Sequence, residues 1–119
     1  MITLATLEQA TPQEVFDQVK NHLLKQNARS GVLGERWKCK YRGLDGLKCA
    51  AGCLISDEEY KPKMESRTWY GLIYNGLIKE TQHDVLIKKL QIIHDDTDVE
   101  NWEKDLKELA KEHGLEYEV

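Results

Sequence analysis

Apolar residues recur at helical spacing in several stretches of this chain and at strand spacing in one. Val15, Phe16, Val19 and Leu23 mark the first helical stripe, with His22 at its edge. Thr11-Pro12-Gln13-Glu14 opens it as a capping box, with proline at a position where its missing N–H costs nothing. The pattern predicts a helix to about Gln26, ended by Asn27 and the Ser30-Gly31 pair. Ser56-Asp57-Glu58-Glu59 is a second capping box, but Pro62 limits any helix there to about one turn. Trp69, Leu72 and Ile73 predict a short helix from Arg67 to Tyr74, stopped by Asn75-Gly76. Leu86, Leu90 and Ile93 predict another from about Gln82 to His94. Thr97-Asp98-Val99-Glu100 is a third capping box, opening a last helix with Val99, Trp102, Leu106, Leu109 and Ala110 inward. Gly114 closes that helix, and residues 115–119 are expected to fold back as an edge strand.

Strand spacing appears only between Glu35 and Cys49. Trp37, Cys39 and Tyr41 alternate with Arg36, Lys38, Lys40 and Arg42, the period of a half-buried strand. Gly43-Leu44-Asp45-Gly46 is turn chemistry, and Leu47 and Cys49 return on the face of Cys39 and Tyr41. The expected fold is therefore α+β but mainly α: about four helices with one embedded β-hairpin, in a single compact domain spanning residues 1–119.

Composition agrees with that size. A chain of 119 residues with 40% hydrophobic and 32% charged residues builds one modest core. No apolar run approaches the roughly 18 residues that cross a bilayer, and the start lacks the basic and apolar regions of a signal peptide. Three cysteines without an export signal point to reduced thiols in a cytoplasm.

Charge is unevenly spread. The net charge is −4, yet Arg29, Arg36, Lys38, Lys40, Arg42 and Lys48 cluster against only Glu35 and Asp45, while the residues after His94 are strongly acidic. Such a dipolar molecule is suited to steering a charged partner or docking on a copy of itself. The alternative is that the two regions neutralise each other within the fold.

The segment from Cys39 to Cys53 holds all three cysteines, so candidate chemistry concentrates there. Cys39, Cys49 and Cys53 offer three thiolates, and His94, His83 or His22 would complete a tetrahedral zinc site. No Cys-x-x-Cys occurs, and three small buried apolar residues explain the cysteines equally. Cys53, beside Gly52 and near a capped turn, is a candidate nucleophile if a histidine reaches it. His94-Asp95 has the form of a metal-dependent phosphohydrolase pair, although helix-end charge accounts for Asp95, Asp96 and Asp98. Lys38, Lys40, Arg42 and Lys48, interleaved with Trp37 and Tyr41, suggest phosphate contact and base stacking. Alternation, however, places the rings and the basic groups on opposite faces.

The run Tyr41-Arg42-Gly43-Leu44-Asp45-Gly46-Leu47-Lys48-Cys49-Ala50-Ala51-Gly52-Cys53-Leu54-Ile55 resembles a pattern in small uncharacterised proteins of bacteriophages and bacterial genomes. Leu90-Gln91-Ile92-Ile93-His94-Asp95, followed by Trp102, is similar to the same family's second signature. The resemblance implies a phage or mobile-element setting and no particular activity; members often carry proline where this chain has Ser56.

Together these readings favour a cytoplasmic protein that binds a host or phage protein and modulates or inhibits it, without a catalytic residue. Lys38, Lys40, Arg42, Asp45, Lys48, Asp98, Asp105, Glu108 and Glu112 are the expected binding groups, with Trp69 and Tyr70 as aromatic anchors if exposed. Two alternatives stand: a small metal- or thiol-dependent enzyme centred on Cys39, Cys49, Cys53 and His94, and a nucleic-acid-binding module using the basic strand. Homo-oligomers fit the charge pattern; a membrane partner does not.

Overall fold

The first helix forms as its capping box predicts. Thr11 accepts from the Glu14 amide at 3.1 Å, and the Glu14 carboxylate accepts from the Thr11 amide at 2.9 Å. Helix α1 (Pro12–Gln26) then buries Val15, Phe16, Val19 and Leu23 and ends at Asn27, whose φ of 51° is left-handed. This is a computed structural model, and it describes residues 1–33 and 37–118.

Three more helices follow. Helix α2 (Trp69–Tyr74) starts two residues later than the pattern suggests, because Thr68 is its cap and accepts from the Gly71 amide. Helix α3 (Asp84–Asp96) turns Leu86, Ile87, Leu90, Ile93 and His94 inward. Helix α4 (Trp102–Glu112) buries Trp102, Leu106, Leu109 and Ala110. Helix α3 packs against the other three helices, and α1 against α3 and α4. Their apolar faces, with the short 3₁₀ turn Ala51–Leu54, enclose one continuous core in which Trp69 and Trp102 are the largest side chains. Among the described residues, no helix is long and apolar enough to cross a membrane.

The expected β-hairpin over Glu35–Cys49 is not formed, and the α+β assignment falls with it. Glu35 and Arg36 lie outside the described residues, but the return strand is plainly absent: Leu44–Gly46 is a 3₁₀ turn, and the chain beyond it enters the Ala51–Leu54 turn. The reason lies in where the backbone groups go. Glu65 takes the Tyr41 and Arg42 amides, and the Ser30 hydroxyl donates to the Lys40 and Leu47 carbonyls. Those side chains replace the partners a ladder would have supplied. Among the described residues the only strand pairing is a three-residue antiparallel ladder, β1 (Gly31–Leu33) with β2 (Trp37–Cys39), in the register Gly31↔Cys39, Val32↔Lys38 and Leu33↔Trp37. It adds no layer; the architecture is a packing of helices.

Two smaller expectations also shift. Asp98 heads only the 3₁₀ turn Val99–Asn101 and makes no capping bond with its side chain, while the Thr97 hydroxyl donates to Asp105 at 2.7 Å. The tail does fold back, but residues 115–118 run along α1 without a ladder, held by Gln13 and by Tyr117 set edge-on to Phe16. Val119 lies outside the described residues.

Candidate functional site

Cys39, at the end of β2, faces α3. Gln91 and Asp95 stand one helical turn apart there, so both reach the same spot. The Gln91 amide donates to Asp95 Oδ1 at 2.8 Å and to Cys39 Sγ at 3.0 Å, while its oxygen accepts from the Ala51 amide at 2.8 Å. His94 lies behind them with no exposed surface, its ring stacked on Trp102 at 5.6 Å between centroids. Its Nδ1 is 2.8 Å from Asp95 Oδ1 and 3.9 Å from Cys39 Sγ.

The other ring nitrogen fixes the chemistry. His94 Nε2 accepts from the Ser30 amide at 3.0 Å. A nitrogen that accepts carries no hydrogen, so the neutral ring holds its proton on Nδ1 and donates it to Asp95. Burial works against a charge on this ring, but the Asp95 and Cys39 side chains outweigh it and lift the pKa above the ordinary histidine value. A second proton must still displace the Ser30 amide from Nε2. Both nitrogens are therefore spent, and neither is left as a base for a thiol.

The thiols themselves are not activated. Contact with the Cys49 thiol and burial push the Cys39 pKa far up. Burial raises Cys53 to about 12, and its sulfur donates to the Ala50 carbonyl at 3.1 Å. Cys49 is fully buried and accepts from the Gly52 amide at 3.3 Å.

The ligand set expected for zinc is not assembled as expected. Among the described residues, the three potential ligands that gather within 4.8 Å of one another are Cys39, His94 and Asp95; neither Cys49 nor Cys53 belongs to the group. An ion on Nδ1 would need that nitrogen stripped of its proton, while Nε2 gained one against the Ser30 N–H. Holding a metal here thus requires the Ser30 amide to move.

Around this cluster opens a cleft of about 550 Å³. Buried Tyr41 and Trp69, with half-buried Cys39, Gln91 and Asp95, form its floor; exposed Arg67, Tyr70, Lys88 and Ile92 form its rim. The Glu65 carboxylate and the Tyr41 hydroxyl, which donates to the Arg67 carbonyl at 2.7 Å, fix one wall to the other. Asp95 Oδ2 has no hydrogen-bond partner among the described residues, although Oδ1 has two.

Most of the binding groups expected from the sequence lie elsewhere. Arg42 is structural: it donates to the Gly52 and Ile55 carbonyls at 3.0 and 2.6 Å, lies over the Tyr60 ring, and pairs with Asp57 at 3.2 Å. Lys48 also approaches Asp57, at 3.9 Å. Lys40 is half-buried, Asp45 sits exposed in a turn, and the side chain of Lys38 lies outside the described residues. Asp98 meets Arg29 at 3.8 Å, Glu112 pairs with Lys89, and Glu108 is exposed. Of the two aromatic anchors, Trp69 is buried and Tyr70 is 40% exposed at the cleft. Gln91 and Ser30 were not singled out as site residues by sequence reasoning, and Asp95 entered only as the neighbour of His94 in a metal-dependent pair. The available signal was Gln91 one turn before the His94-Asp95 pair, a spacing that equally describes a solvated helix face.

Comparison with known proteins returned no match: no family model fits the chain, and no curated protein or solved structure is similar to it.

Proposed function

We propose that this protein acts by binding, and that the cleft between residues 66–70 and α3 is where it binds. The observation that carries this is the division of labour at Asp95. One oxygen is held by two donors, the Gln91 carboxamide and the His94 Nδ1–H, which orient the carboxylate. The other oxygen is left for something else, at the floor of an aromatic and apolar cleft. That oxygen is open to the cleft, on a side chain 31% exposed, so a ligand that supplies N–H donors there replaces water with a directed contact. The same geometry argues against thiol catalysis, since His94 has no nitrogen to offer.

The test is a titration of the full chain with small N–H donors, benzamidine and arginine amide, followed by amide NMR. Shifts confined to Cys39, Tyr70, Gln91 and Asp95, and lost in Asp95→Asn, are the expected result. Shifts scattered over the surface, or unchanged in Asp95→Asn and in the cleft-blocking Ile92→Arg, would remove the reading.

A second reading, a host or phage protein as partner, draws on exposed apolar residues: Ile92 at 45% on the rim of the cleft, and Tyr74 at 90% and Val85 at 53% on α2 and α3. A photoreactive group at Tyr74 would then cross-link a saturable partner, and a failure to saturate would count against it.

A further inference from the structure

The cleft has poles of opposite charge. Asp95 lies on the floor, whereas Arg67 and Lys88 stand on the rim, and neither cation is in an ion pair among the described residues. Arg67 spends its Nε on the Lys63 carbonyl, leaving its two terminal nitrogens for other acceptors, and the Lys88 ammonium lies 5.5 Å from the centre of the Tyr70 ring. Tyr70 and Ile92 are exposed on the same rim, while the Tyr41 and Trp69 rings lie buried beneath. A ligand that satisfies all of this is planar, carries adjacent N–H donors at one end and an anion at the other.

We infer that the cleft takes a guanine mononucleotide; this rests on the reading of the cleft as a binding site. Guanine presents two neighbouring N–H donors, N1–H and the N2 amine, and Asp95 Oδ2 has two free lone pairs to receive them. Adenine and cytosine place an acceptor nitrogen next to their amine, and uracil flanks its one N–H with two carbonyls. Each of those sets an acceptor against the carboxylate, the mismatch that discriminates most strongly. The base lies against Tyr70 and Ile92, the exposed aromatic and apolar side chains of the lining. The phosphate reaches Arg67 and Lys88, a guanidinium and an ammonium suited to its oxygens. A cleft of about 550 Å³ belongs to the size class that encloses small ligands.

The experiment is calorimetric titration of the full chain with GMP, AMP and guanosine. GMP should bind at least tenfold more tightly than AMP. Guanosine should bind more weakly than GMP, and added salt should narrow that gap. Asp95→Asn should abolish the preference for guanine. Arg67→Ala with Lys88→Ala, both at exposed positions, should bring GMP down to the level of guanosine and leave guanosine unchanged. If Asp95→Asn fails to fold, Ile92→Glu, which sets a negative charge on the rim beside the phosphate, must abolish GMP binding instead. Equal affinity for GMP and AMP, or GMP binding that survives Ile92→Glu, would overturn the inference. If no nucleotide binds while benzamidine still binds through Asp95, the guanine assignment falls and the binding cleft stands; if neither binds, both fall.

Discussion

Three glutamines on α1 do the same unusual job. Gln18 donates to the Ile2 carbonyl and accepts from the Ile2 amide, at 2.8 and 2.7 Å. Gln26 does so with Lys48, at 2.8 and 3.0 Å, and Gln13 with Glu116, at 2.9 and 2.8 Å. A carboxamide has the donor and acceptor of a peptide group, so each glutamine stands in for a neighbouring strand and satisfies one residue of irregular backbone. Glutamate cannot do this, because an ionised carboxylate only accepts. We therefore expect Gln26→Glu to leave the Lys48 and Ala28 carbonyls facing a negative charge and to cost about 1–3 kcal/mol, read as a lowered denaturation midpoint with unchanged slope. Gly52 illustrates a different single-residue constraint. A Cβ there would stand 2.6 Å from the Tyr41 carbonyl oxygen, which is backbone and cannot step aside. Gly52→Ala should cost about 1–3 kcal/mol in the same assay, whereas Gly46→Ala, with open space but φ of 78°, should cost only about 1 kcal/mol.

At the scale of the elements, what could be read from the sequence was whatever is encoded within a few residues. The Thr11 box, the left-handed Asn27 and the inward stripes of α1 and α4 are all local, and the chain folds them as written. The strand reading failed because alternation from Trp37 to Arg42 describes an extended chain but not its partner. Trp37–Cys39 pairs with the preceding segment Gly31–Leu33 and not with a return strand, while the amides of Tyr41 and Arg42 go to the Glu65 side chain and the Lys40 carbonyl to the Ser30 hydroxyl. The site failed for the same reason: nothing near Asp95 in sequence shows that Ser30 will occupy His94 Nε2. The Ser56 box is an instructive middle case. Both of its bonds form, Glu59 amide to Ser56 hydroxyl and Ser56 amide to Glu59 carboxylate, but they close a turn and not a helix. Glu59 then also receives the amides of Leu4 and Ala5, at 3.0 and 2.8 Å. Burial alone would raise its pKa, but the backbone donors Ser56, Leu4 and Ala5 outweigh it and hold it below the ordinary glutamate value. A depressed folded-state pKa gives stability that is present above the unfolded-state value and lost as pH falls through the folded one. The N-terminal segment should thus loosen from the turn below about pH 4.5. Amide exchange at Leu4 and Ala5 should accelerate there, while Glu59→Gln should exchange fast at every pH. Exchange at those amides that is independent of Glu59 would contradict the argument.

For the whole molecule, α1 is the element to which both ends of the chain are fastened, through Gln18 near the start and Gln13 near the finish. The finish is the more informative, because it covers a buried cation. Lys20 is 4% exposed, and its ammonium donates to the Glu118 carbonyl at 2.7 Å and lies 4.8 Å from the centre of the Tyr117 ring. Lys107 of α4 approaches the same ring at 5.5 Å, so one tyrosine ties the tail, α1 and α4 together. A buried ammonium is tolerable only while its partners remain. Tyr117→Ala removes an aromatic contact with Phe16 and half of the surroundings of Lys20 at once. The expected loss is about 1–3 kcal/mol, within the range for truncating a half-buried aromatic residue. Lys20→Met separates the two contributions: it deletes the charge but keeps the apolar stem. If the ring acts mainly by covering the ammonium, Tyr117→Ala should cost less in a Lys20→Met background, with a coupling of about 1 kcal/mol in a double-mutant cycle. Additive effects within about 0.3 kcal/mol would instead make Tyr117 a plain packing residue, and the tail a cover for Phe16 alone.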